Sequence, residues 1–333
     1  MNQLTKFQKQ FNSILETFIF TKLKQVKGAP VVVRKGIEQL AKITLSGGKR
    51  IRPAFIYYGY KMCGGKSFAE IKNYLLAIEI LQTFALIHDD IIDRATKRRG
   101  VETINSRLGN NMAILCGDLA YTWSDELFYQ NCPTKNLSSL FEQMKQQVIM
   151  GQILDLYSPQ KEKDVVQMME WKTASYSVEK PLCIGAILAA ASAEKINTLS
   201  FIGINIGLAF QTQDDIFGVF GREEKLGKST LDDLRNGKKT LLYFKTLANL
   251  NPIKKQEFFS LWGNSKAGYN ELRVIQKIVT NSGGLVKVIN LYKNWKKEAI
   301  SLLQSPNFDK KYVRELLDII SDILILEKHD LLK

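Results

Sequence analysis

Two clusters of aspartates are the residues of this sequence best suited to chemistry. Asp89, Asp90 and Asp93 follow the apolar segment LQTFALIH, and Asp214 and Asp215 lie within LAFQTQDDIFG. Charged side chains are rarely buried without a partner, because removing an ion from water costs several kcal/mol. Residues four apart share one face of a helix, so the carboxylates of Asp89 and Asp93 repel each other unless a cation bridges them. Hard carboxylate oxygens suit Mg²⁺, whereas a helix cap or a solvated acidic face is the alternative for either cluster alone.

Two basic motifs accompany the acidic clusters. The segment GGKRIRP at 47–53 combines a glycine pair, which lets the backbone approach an anion, with Lys49 and Arg52, which suit phosphate oxygens. A second motif, RRG at 98–100, follows the first acidic cluster by five residues and offers two forks for phosphate. Each motif alone also fits an ordinary helix stop or a surface pair. Together with the carboxylates, they predict a site in which Mg²⁺ and cations hold a diphosphate.

Several other nucleotide and metal sites are excluded by spacing. The segments GKS at 65–67 and 227–229 have Tyr60 and Arg222 where a phosphate-binding loop needs glycine. The chain has two histidines and no HExxH motif, so the helical zinc-protease site is absent. A nucleic-acid-binding protein would interleave aromatic and basic residues, a pattern that we do not find. We therefore expect no nucleic acid partner.

The composition fits a globular enzyme. The chain has 333 residues, 45% of them hydrophobic, and no linker-like segment, so we expect one domain spanning 1–333. The net charge of +14 fits nucleic acid, anionic lipid or a phosphorylated substrate. Four scattered cysteines indicate reduced thiols. The N-terminus does not resemble a signal peptide, and the longest apolar stretch, 182–193, is too short to span a bilayer. We expect a cytoplasmic protein without stable membrane insertion.

Helical periodicity dominates the chain. Apolar residues recur three and four apart from Ile71 to Asp89, which predicts an amphipathic helix that ends at the first acidic cluster. The only β-branched run, 31–33, is flanked by a proline and by helix formers. The sequence therefore predicts an all-α, single-domain helical bundle of about a dozen helices around a central cavity. Further helices are predicted at 4–20, 113–128, 137–156, 196–210, 285–303 and 312–326, and loops near 46–48, 64–67, 131–135, 158–163 and 221–237.

Several motifs, taken in order, resemble those of the trans-isoprenyl diphosphate synthases. They are GGKRIRP at 47–53, LIHDDIID at 86–93 with RRG after it, GQILDL at 151–156, KTAS at 172–175, FQTQDDIFG at 210–218, GK at 227–228 and GKKT at 237–240. The resemblance implies the isoprenoid synthase fold and a Mg²⁺-dependent prenyltransferase. Such an enzyme condenses an allylic diphosphate (dimethylallyl, geranyl or farnesyl) with isopentenyl diphosphate by ionisation, condensation and elimination. It also implies a homodimer.

The resemblance assigns a role to each matching residue. Two Mg²⁺ ions would be held by Asp89 and Asp93 and a third by Asp214, with Asp90 and Asp215 in support. Isopentenyl diphosphate would be bound beside Gly48 by four side chains: Lys49, Arg52, Gln82 and Arg99. The allylic diphosphate would be held by Arg98, Lys172, Thr173, Gln211, Lys228 and Lys238.

The family resemblance also implies how the catalytic residues act. The metal and the basic groups would stabilise the departing diphosphate, and Thr173 and Gln211 would flank the allylic cation. Two positions depart from the pattern. Gly218 stands where many members have a third aspartate, and Gln82 stands where some have histidine, whose positive charge an amide cannot supply.

Product length is expected to depend on the helix that precedes Asp89. Phe84 with the small Ala85 after it resembles the geranylgeranyl-forming pattern, and Leu81 is a candidate for a deeper floor. The sequence therefore predicts a C20 product, with farnesyl (C15) or longer chains as alternatives. Ordinary core packing is the competing interpretation of these three residues. A class I terpene synthase and a non-catalytic subunit of a heteromeric prenyltransferase are weaker alternatives, because both acidic clusters and GGKRIRP are present.

Overall fold

A computed structural model describes residues 3–226 and 229–327, and helices make up most of it. The α-helices within these residues are α1 (Gln3–Gln25), α2 (Val31–Leu45), α3 (Ile51–Met62), α4 (Phe68–Ile92), α5 (Ile104–Leu108), α6 (Asn110–Tyr129), α7 (Lys135–Leu156), α8 (Glu162–Met169), α9 (Lys180–Leu188), α10 (Ala193–Phe220), α11 (Glu223–Leu226), α12 (Leu231–Arg235), α13 (Leu241–Leu247), α14 (Pro252–Leu261), α15 (Tyr269–Asn281), α16 (Gly284–Leu303) and α17 (Lys310–Ile323). A π-helical segment, Glu170–Glu179, joins α8 to α9, and strands β1 (Lys97–Arg98) and β2 (Val101–Glu102) pair antiparallel.

The chain forms two compact units. The first unit comprises residues 1–139 and 181–191, and the second comprises 140–180 and 192–333. In the first unit, α4 packs on α6 and α3, and α1 packs on α2. Helix α4 is apolar on several sides, with Leu75, Ile78 and Leu81 almost completely buried, because neighbouring helices cover it. This packing fixes the end of α4, which carries the first acidic cluster.

In the second unit, α10 is the central element and packs against α16 and the π-helical segment. Two glycines of α10 allow the close approach to that segment. A Cβ at Gly203 would lie 2.4 Å from the Cα of Glu179, and one at Gly207 would lie 2.2 Å from the Cα of Ala174. Any larger residue would push the backbones apart. The two glycines therefore fix where the π-helical segment lies along α10.

The all-α prediction is confirmed, and the helices predicted at 4–20, 71–89, 113–128, 137–156, 196–210, 285–303 and 312–326 are present. The loop predicted at 221–237 is wrong in part, because it contains α11 and α12, whose few residues are too short for a periodic signal. The number of helices is also larger than predicted for the same reason. Within residues 3–226 and 229–327, no helix is both long and apolar enough to cross a membrane.

Candidate active site

The first acidic cluster occupies the last turn of α4. Asp93 is the C-terminal cap residue, and its N–H donates to the carbonyl oxygen of Asp89 at 2.8 Å. The carbonyl end of a helix carries partial negative charge, so aspartates are unfavourable there. Asp93 is exposed and Asp89 is half-buried, whereas Asp90 is buried. The position thus concentrates negative charge on one accessible helix end, where a cation would be stabilised.

Arg98 compensates part of this charge. Its Nε donates to Asp90 Oδ1 at 2.6 Å, and its Nη2 lies 3.6 Å from Asp89 Oδ2. Burial raises the pKa of Asp90, while Arg98 opposes the shift. Arg98 is aimed by the β1–β2 hairpin, whose turn residues Arg99 (φ 51°) and Gly100 (φ 79°) both have positive φ, as a two-residue hairpin of this kind requires.

Arg99 lies against the glycine loop that precedes α3. Its guanidinium donates to the Gly47 carbonyl oxygen at 2.7 Å. A Cβ at Gly48 would lie 2.6 Å from the guanidinium carbon, and the φ of Gly48 is +110°. The backbone therefore favours glycine at 48, and a larger residue there would have to displace the Arg99 guanidinium. The structure thus places Arg99 of the arginine pair against the loop that carries Lys49.

Arg50, which sequence reasoning missed, holds the glycine loop in place through a buried side chain. Its side chain is buried and donates to Glu79 Oε1 at 2.5 Å, to the Thr44 carbonyl oxygen at 3.1 Å and to Asn12 Oδ1 at 3.2 Å. Arg50 has φ 52°, a left-handed conformation that costs energy for a non-glycine residue. The sequence contains one sign of this contact: Glu79 lies within the apolar pattern of α4, and a buried acid needs a partner.

The charges of this region act on one another. Burial lowers the pKa of Arg99, Glu79 raises it, and Arg50, Arg52 and Arg98 lower it further. Arg50, Arg52 and Arg98 therefore lie close enough to repel the Arg99 guanidinium, while Glu79 attracts it. Such an arrangement favours the binding of an anion with several charges.

Gln82 lies on the face of α4 that also carries Glu79, three residues earlier. It is buried, and its Oε1 has no hydrogen-bond partner among the residues that the structure describes. An unpaired buried amide oxygen is costly. A polar ligand at this face would remove that cost.

The three residues predicted to set chain length differ in burial. Leu81 is 1% exposed, while Phe84 and Ala85 are half-buried. The ring of Phe84 lies 5.1 Å from that of Tyr121 in an edge-to-face contact and 4.6 Å from that of His88. Phe84 is therefore held in place by α6. Leu81 alone has the burial of an ordinary core residue.

In the second unit, a hydrogen-bonded chain connects three predicted residues. Thr173 donates to Gln211 Oε1 at 2.6 Å, and Gln211 Nε2 donates to Asp215 Oδ1 at 2.9 Å. Lys238 Nζ lies 3.5 Å from the same carboxylate oxygen. Burial raises the pKa of Asp215 to about 6, although Lys238 opposes the shift. Its Oδ2 is buried and has no hydrogen-bond partner in the described part of the chain.

Lys172 and Asp155 form an ion pair in this unit. Lys172 lies in the π-helical segment, and Asp155 belongs to the GQILDL motif near the end of α7. Asp155 also contributes to the raised pKa of Lys238, after Asp215 and Asp233. The GQILDL motif includes Asp155, but the sequence alone assigned no role to this residue.

Asp233 fills the space beside Gly218. A Cβ at Gly218 would lie 1.9 Å from Asp233 Oδ2, so no side chain fits at 218 while Asp233 keeps this position. Asp233 is on α12, inside the predicted loop, and was missed because the short helix was missed. The departure at Gly218 is therefore accompanied by a carboxylate that reaches the same place from another helix.

The aspartates of the second cluster and the nearby Asp233 offer carboxylate oxygens, which suit a hard cation. One of these oxygens, Asp215 Oδ2, has no hydrogen-bond partner among the described residues. Within the described residues, no group of three acidic, histidine or cysteine side chains is arranged to hold a metal by itself. A cation bound here would need further oxygen ligands, such as those of a diphosphate. Lys228, predicted to bind substrate, lies outside the described residues.

Known proteins are similar to this chain over most of its length. Residues 34–279 match the model of the polyprenyl synthetase family. Geranylgeranyl diphosphate synthase of Sulfolobus acidocaldarius is 32% identical over 312 residues, which cover 90% of this chain and 92% of that protein. Geranylfarnesyl diphosphate synthase of Aeropyrum pernix is 32% identical over 84% of this chain and 90% of that protein.

A solved structure shares the fold. The geranylgeranyl pyrophosphate synthase of Corynebacterium glutamicum, crystallised with isoprenyl diphosphate and magnesium, has a TM-score of 0.87 and 25% identity. The similarity covers 97% of this chain and 99% of that chain. The protein thus has the all-α isoprenoid synthase fold. With its family match and both acidic clusters in place, this chain belongs to the polyprenyl synthetase family and is a trans-prenyltransferase.

Proposed function

We propose that the protein condenses isopentenyl diphosphate with an allylic diphosphate and that its main product is geranylgeranyl diphosphate. The observation that carries the proposal is the pair of acidic clusters, each with its own set of cations. Arg98 faces Asp89 and Asp90, and Lys238 faces Asp215. Carboxylates and cations in such numbers suit substrates that carry diphosphates and Mg²⁺.

Asp89, Asp93 and Asp214 would hold Mg²⁺, in three ions. When bound, Mg²⁺ neutralises charge that develops on the departing diphosphate. Gly48, Lys49, Arg52, Gln82 and Arg99 would bind isopentenyl diphosphate, since Arg99 contacts the glycine loop directly. Arg98, Lys172, Thr173, Gln211, Lys228 and Lys238 would hold the allylic substrate. Arg98 and Lys172 would exchange their carboxylate partners for phosphate oxygens on binding.

Thr173 and Gln211 would stabilise the allylic cation. Because the Thr173 hydroxyl donates its proton to Gln211, the remaining lone pairs of its oxygen can face a positive centre. The hydrogen bond from Gln211 to Asp215 fixes the amide in this orientation. The isopentenyl double bond attacks the cation, and the diphosphate that has left accepts the proton that is lost. The carboxylates then need no role as general bases.

Product length would be limited by Phe84, with Ala85 leaving the level nearest Asp89 open. The contact of Phe84 with Tyr121 supports this, because a ring held by α6 cannot turn aside easily. We expect Ala85→Phe to shorten the product and Phe84→Ala to lengthen it. Chromatography of dephosphorylated products would show both changes. An unchanged length in both variants would place the limit elsewhere, with Leu81 as the next candidate.

The activity itself is tested with purified protein, Mg²⁺ and isopentenyl diphosphate, with dimethylallyl, geranyl or farnesyl diphosphate added in turn. A longer prenyl diphosphate is the expected product. A cyclic or linear hydrocarbon made without isopentenyl diphosphate would indicate a terpene synthase. Complete inactivity that a partner subunit restores would indicate a regulatory role. A C15 or longer main product would change the proposed length and leave the reaction class intact.

The remaining expectations concern the whole protein. We propose one functional domain over 1–333, a homodimer and a cytoplasmic location. An exposed apolar stripe on α7 supports the homodimer: Ile149, Met150, Ile153 and Leu156 are 45%, 38%, 51% and 56% exposed and lie on one helix face. Sedimentation of the wild type and of Ile153→Asp would test it, and a monomeric wild type would contradict it.

A further inference from the structure

The tip of the α1–α2 hairpin exposes an unusual group of apolar side chains. Helix α1 ends at Gln25, α2 begins at Val31, and the two helices pack together in the first unit. At the start of α2, Val31, Val32 and Val33 are 55%, 59% and 42% exposed. Three consecutive exposed valines have no role in folding that would offset their contact with water.

Phe20 extends this apolar surface along α1. It is 54% exposed and lines a shallow groove together with Leu23, Ala41 and Leu45. Ala41 and Leu45 belong to the second half of α2, whereas the valines lie in its first turn. The α1–α2 hairpin therefore has two exposed apolar positions, Phe20 on α1 and the valines at the start of α2.

The same tip is strongly basic. No acidic residue occurs between Glu16 and Glu38, while five basic residues do: Lys22, Lys24, Lys27, Arg34 and Lys35. Lys22 is buried and paired with Glu126, so it belongs to the fold. Lys24, Lys27 and Lys35 are exposed. Lysines in the last turn of α1 are ordinary complements of the helix dipole, but those at 27 and 35 are not explained in this way.

The start of α2 adds to the positive potential. Its N-terminal cap is Pro30, no side chain caps the helix, and its first turn contains no acidic residue. A helix start of this kind is electrostatically suited to anions. Helix α14 shows the contrasting arrangement, because Asn251 caps it and Lys254 pairs with Glu257 at 2.7 Å.

From this combination we infer that the α1–α2 tip docks on the surface of a membrane rich in anionic lipids, with Phe20 and Val31–Val33 entering the acyl boundary and Lys24, Lys27 and Lys35 contacting phosphate headgroups. Exposed apolar side chains close in sequence to exposed lysines are features of interfacial attachment. Docking of this kind needs no membrane-spanning helix. It also gives the +14 net charge a role that the substrate site does not explain.

Sedimentation with vesicles tests the inference on the full chain. We expect binding to vesicles that contain phosphatidylglycerol, weakened by salt, and little binding to pure phosphatidylcholine. Replacement of Lys24, Lys27 and Lys35 by glutamine should weaken binding by about five-fold for each lysine. The double variant Val31→Asp/Val32→Asp should weaken it by at least about ten-fold, since each valine buried in the bilayer adds apolar contact.

The valine variants should fold, because aspartate in a first helical turn is favourable. The matched control is Ile253→Asp, since Ile253 is 77% exposed in the first turn of α14. It should leave vesicle binding unchanged. Prenyl transfer without vesicles should be unchanged in all of these variants, so a failure of the proposed reaction would be distinguishable from a failure of docking.

Three results would overturn the inference. One is equal binding to neutral and anionic vesicles. Another is vesicle binding that survives both the lysine and the valine replacements. The third is a change of oligomeric state in Val31→Asp/Val32→Asp, which would make the tip a contact between copies of the chain.

Discussion

The two acidic clusters reach similar chemistry from opposite helix environments. The first lies in the last turn of α4, where the helix dipole opposes negative charge, and Asp93 is exposed. The second lies inside α10, which continues to Phe220, and Asp215 is 2% exposed there. Each cluster also has a half-buried aspartate, Asp89 or Asp214, and one that is 2% exposed, Asp90 or Asp215. The exposed Asp93 is therefore what makes the first cluster more accessible to cations in solution.

The difference extends to the neighbouring residues. Around the first cluster, arginines from a hairpin and a glycine loop compensate charge, and Arg50 with Glu79 holds that loop. Around the second, a neutral chain from Thr173 to Gln211 ends on Asp215. The first cluster is therefore organised by arginine ion pairs, and Asp215 in the second by an amide hydrogen bond together with Lys238. The comparison indicates that salt and metal should affect the two clusters unequally.

Removal of one carboxylate from either cluster should have the largest effect. We expect Asp89→Ala and Asp214→Ala each to lower kcat by about 100-fold to 1,000-fold, because the Mg²⁺ that would neutralise charge on the departing diphosphate loses a ligand. Steady-state kinetics at saturating Mg²⁺ would measure this. Asp318→Ala, exposed on α17, is the control. Near-normal turnover in either variant, with unchanged helicity and melting temperature, would remove that cluster from the proposed metal site.

The contact between Gly218 and Asp233 should have the next largest effect. Gly218→Ala places a Cβ against Asp233 Oδ2, and a displacement of about 1 Å near reacting groups can cost about 100-fold in rate. The exchange Gly218→Asp/Asp233→Ala returns a carboxylate to α10. It should be more active than either single replacement. A double variant no better than the worse single one would show that Asp233 does not substitute for the missing aspartate.

The cations near each cluster should separate the two substrates. Lys49→Ala and Arg52→Ala should raise the KM for isopentenyl diphosphate, and Lys172→Ala should raise that for the allylic substrate. Each increase should correspond to a loss of about 1.5–3 kcal/mol in binding free energy. Kinetics with one substrate varied at a time would show the split. Lys277→Ala, at an exposed position of α15, should leave both values unchanged. Equal effects on both substrates from all three variants would contradict the assignment.

The smallest expected effect is on stability. Without metal, Asp93→Asn should raise the free energy of unfolding by about 0.3–1 kcal/mol, because it removes a negative charge from a helix C-terminus. Asp214→Asn, inside α10, should bring no such gain. Chemical denaturation in a chelator, repeated with Mg²⁺, would compare them. If Asp93→Asn were less stable than the wild type without metal, helix-end repulsion would be the wrong account of the first cluster.

Much of the fold and of the site could be predicted from the sequence. The stripe from Ile71 to Asp89 gave α4 because helical periodicity is a local property. The acidic and basic motifs pointed to the residues near Asp89, whereas Thr173, Gln211 and Lys238 near Asp215 were assigned by the family resemblance, and their roles stay predictions. Asp233 was missed because its position depends on a short helix that packs back on α10. Arg50 was missed because its partner, Glu79, is distant in sequence.

The π-helical segment makes the second unit more sensitive to the number of residues in that segment than to most of its side chains. The N–H of Lys180 donates to the carbonyl oxygen of Ser175, five residues earlier, instead of the usual four. A deletion within 170–179 could close this wide turn into an ordinary helix, but it would rotate every later residue of the helix by about 100° relative to Lys172. Because the backbone of this segment packs directly on Gly203 and Gly207, α10 cannot move to follow that rotation. Apart from the site residues Lys172 and Thr173, substitutions along this segment should be tolerated more often than gaps and insertions.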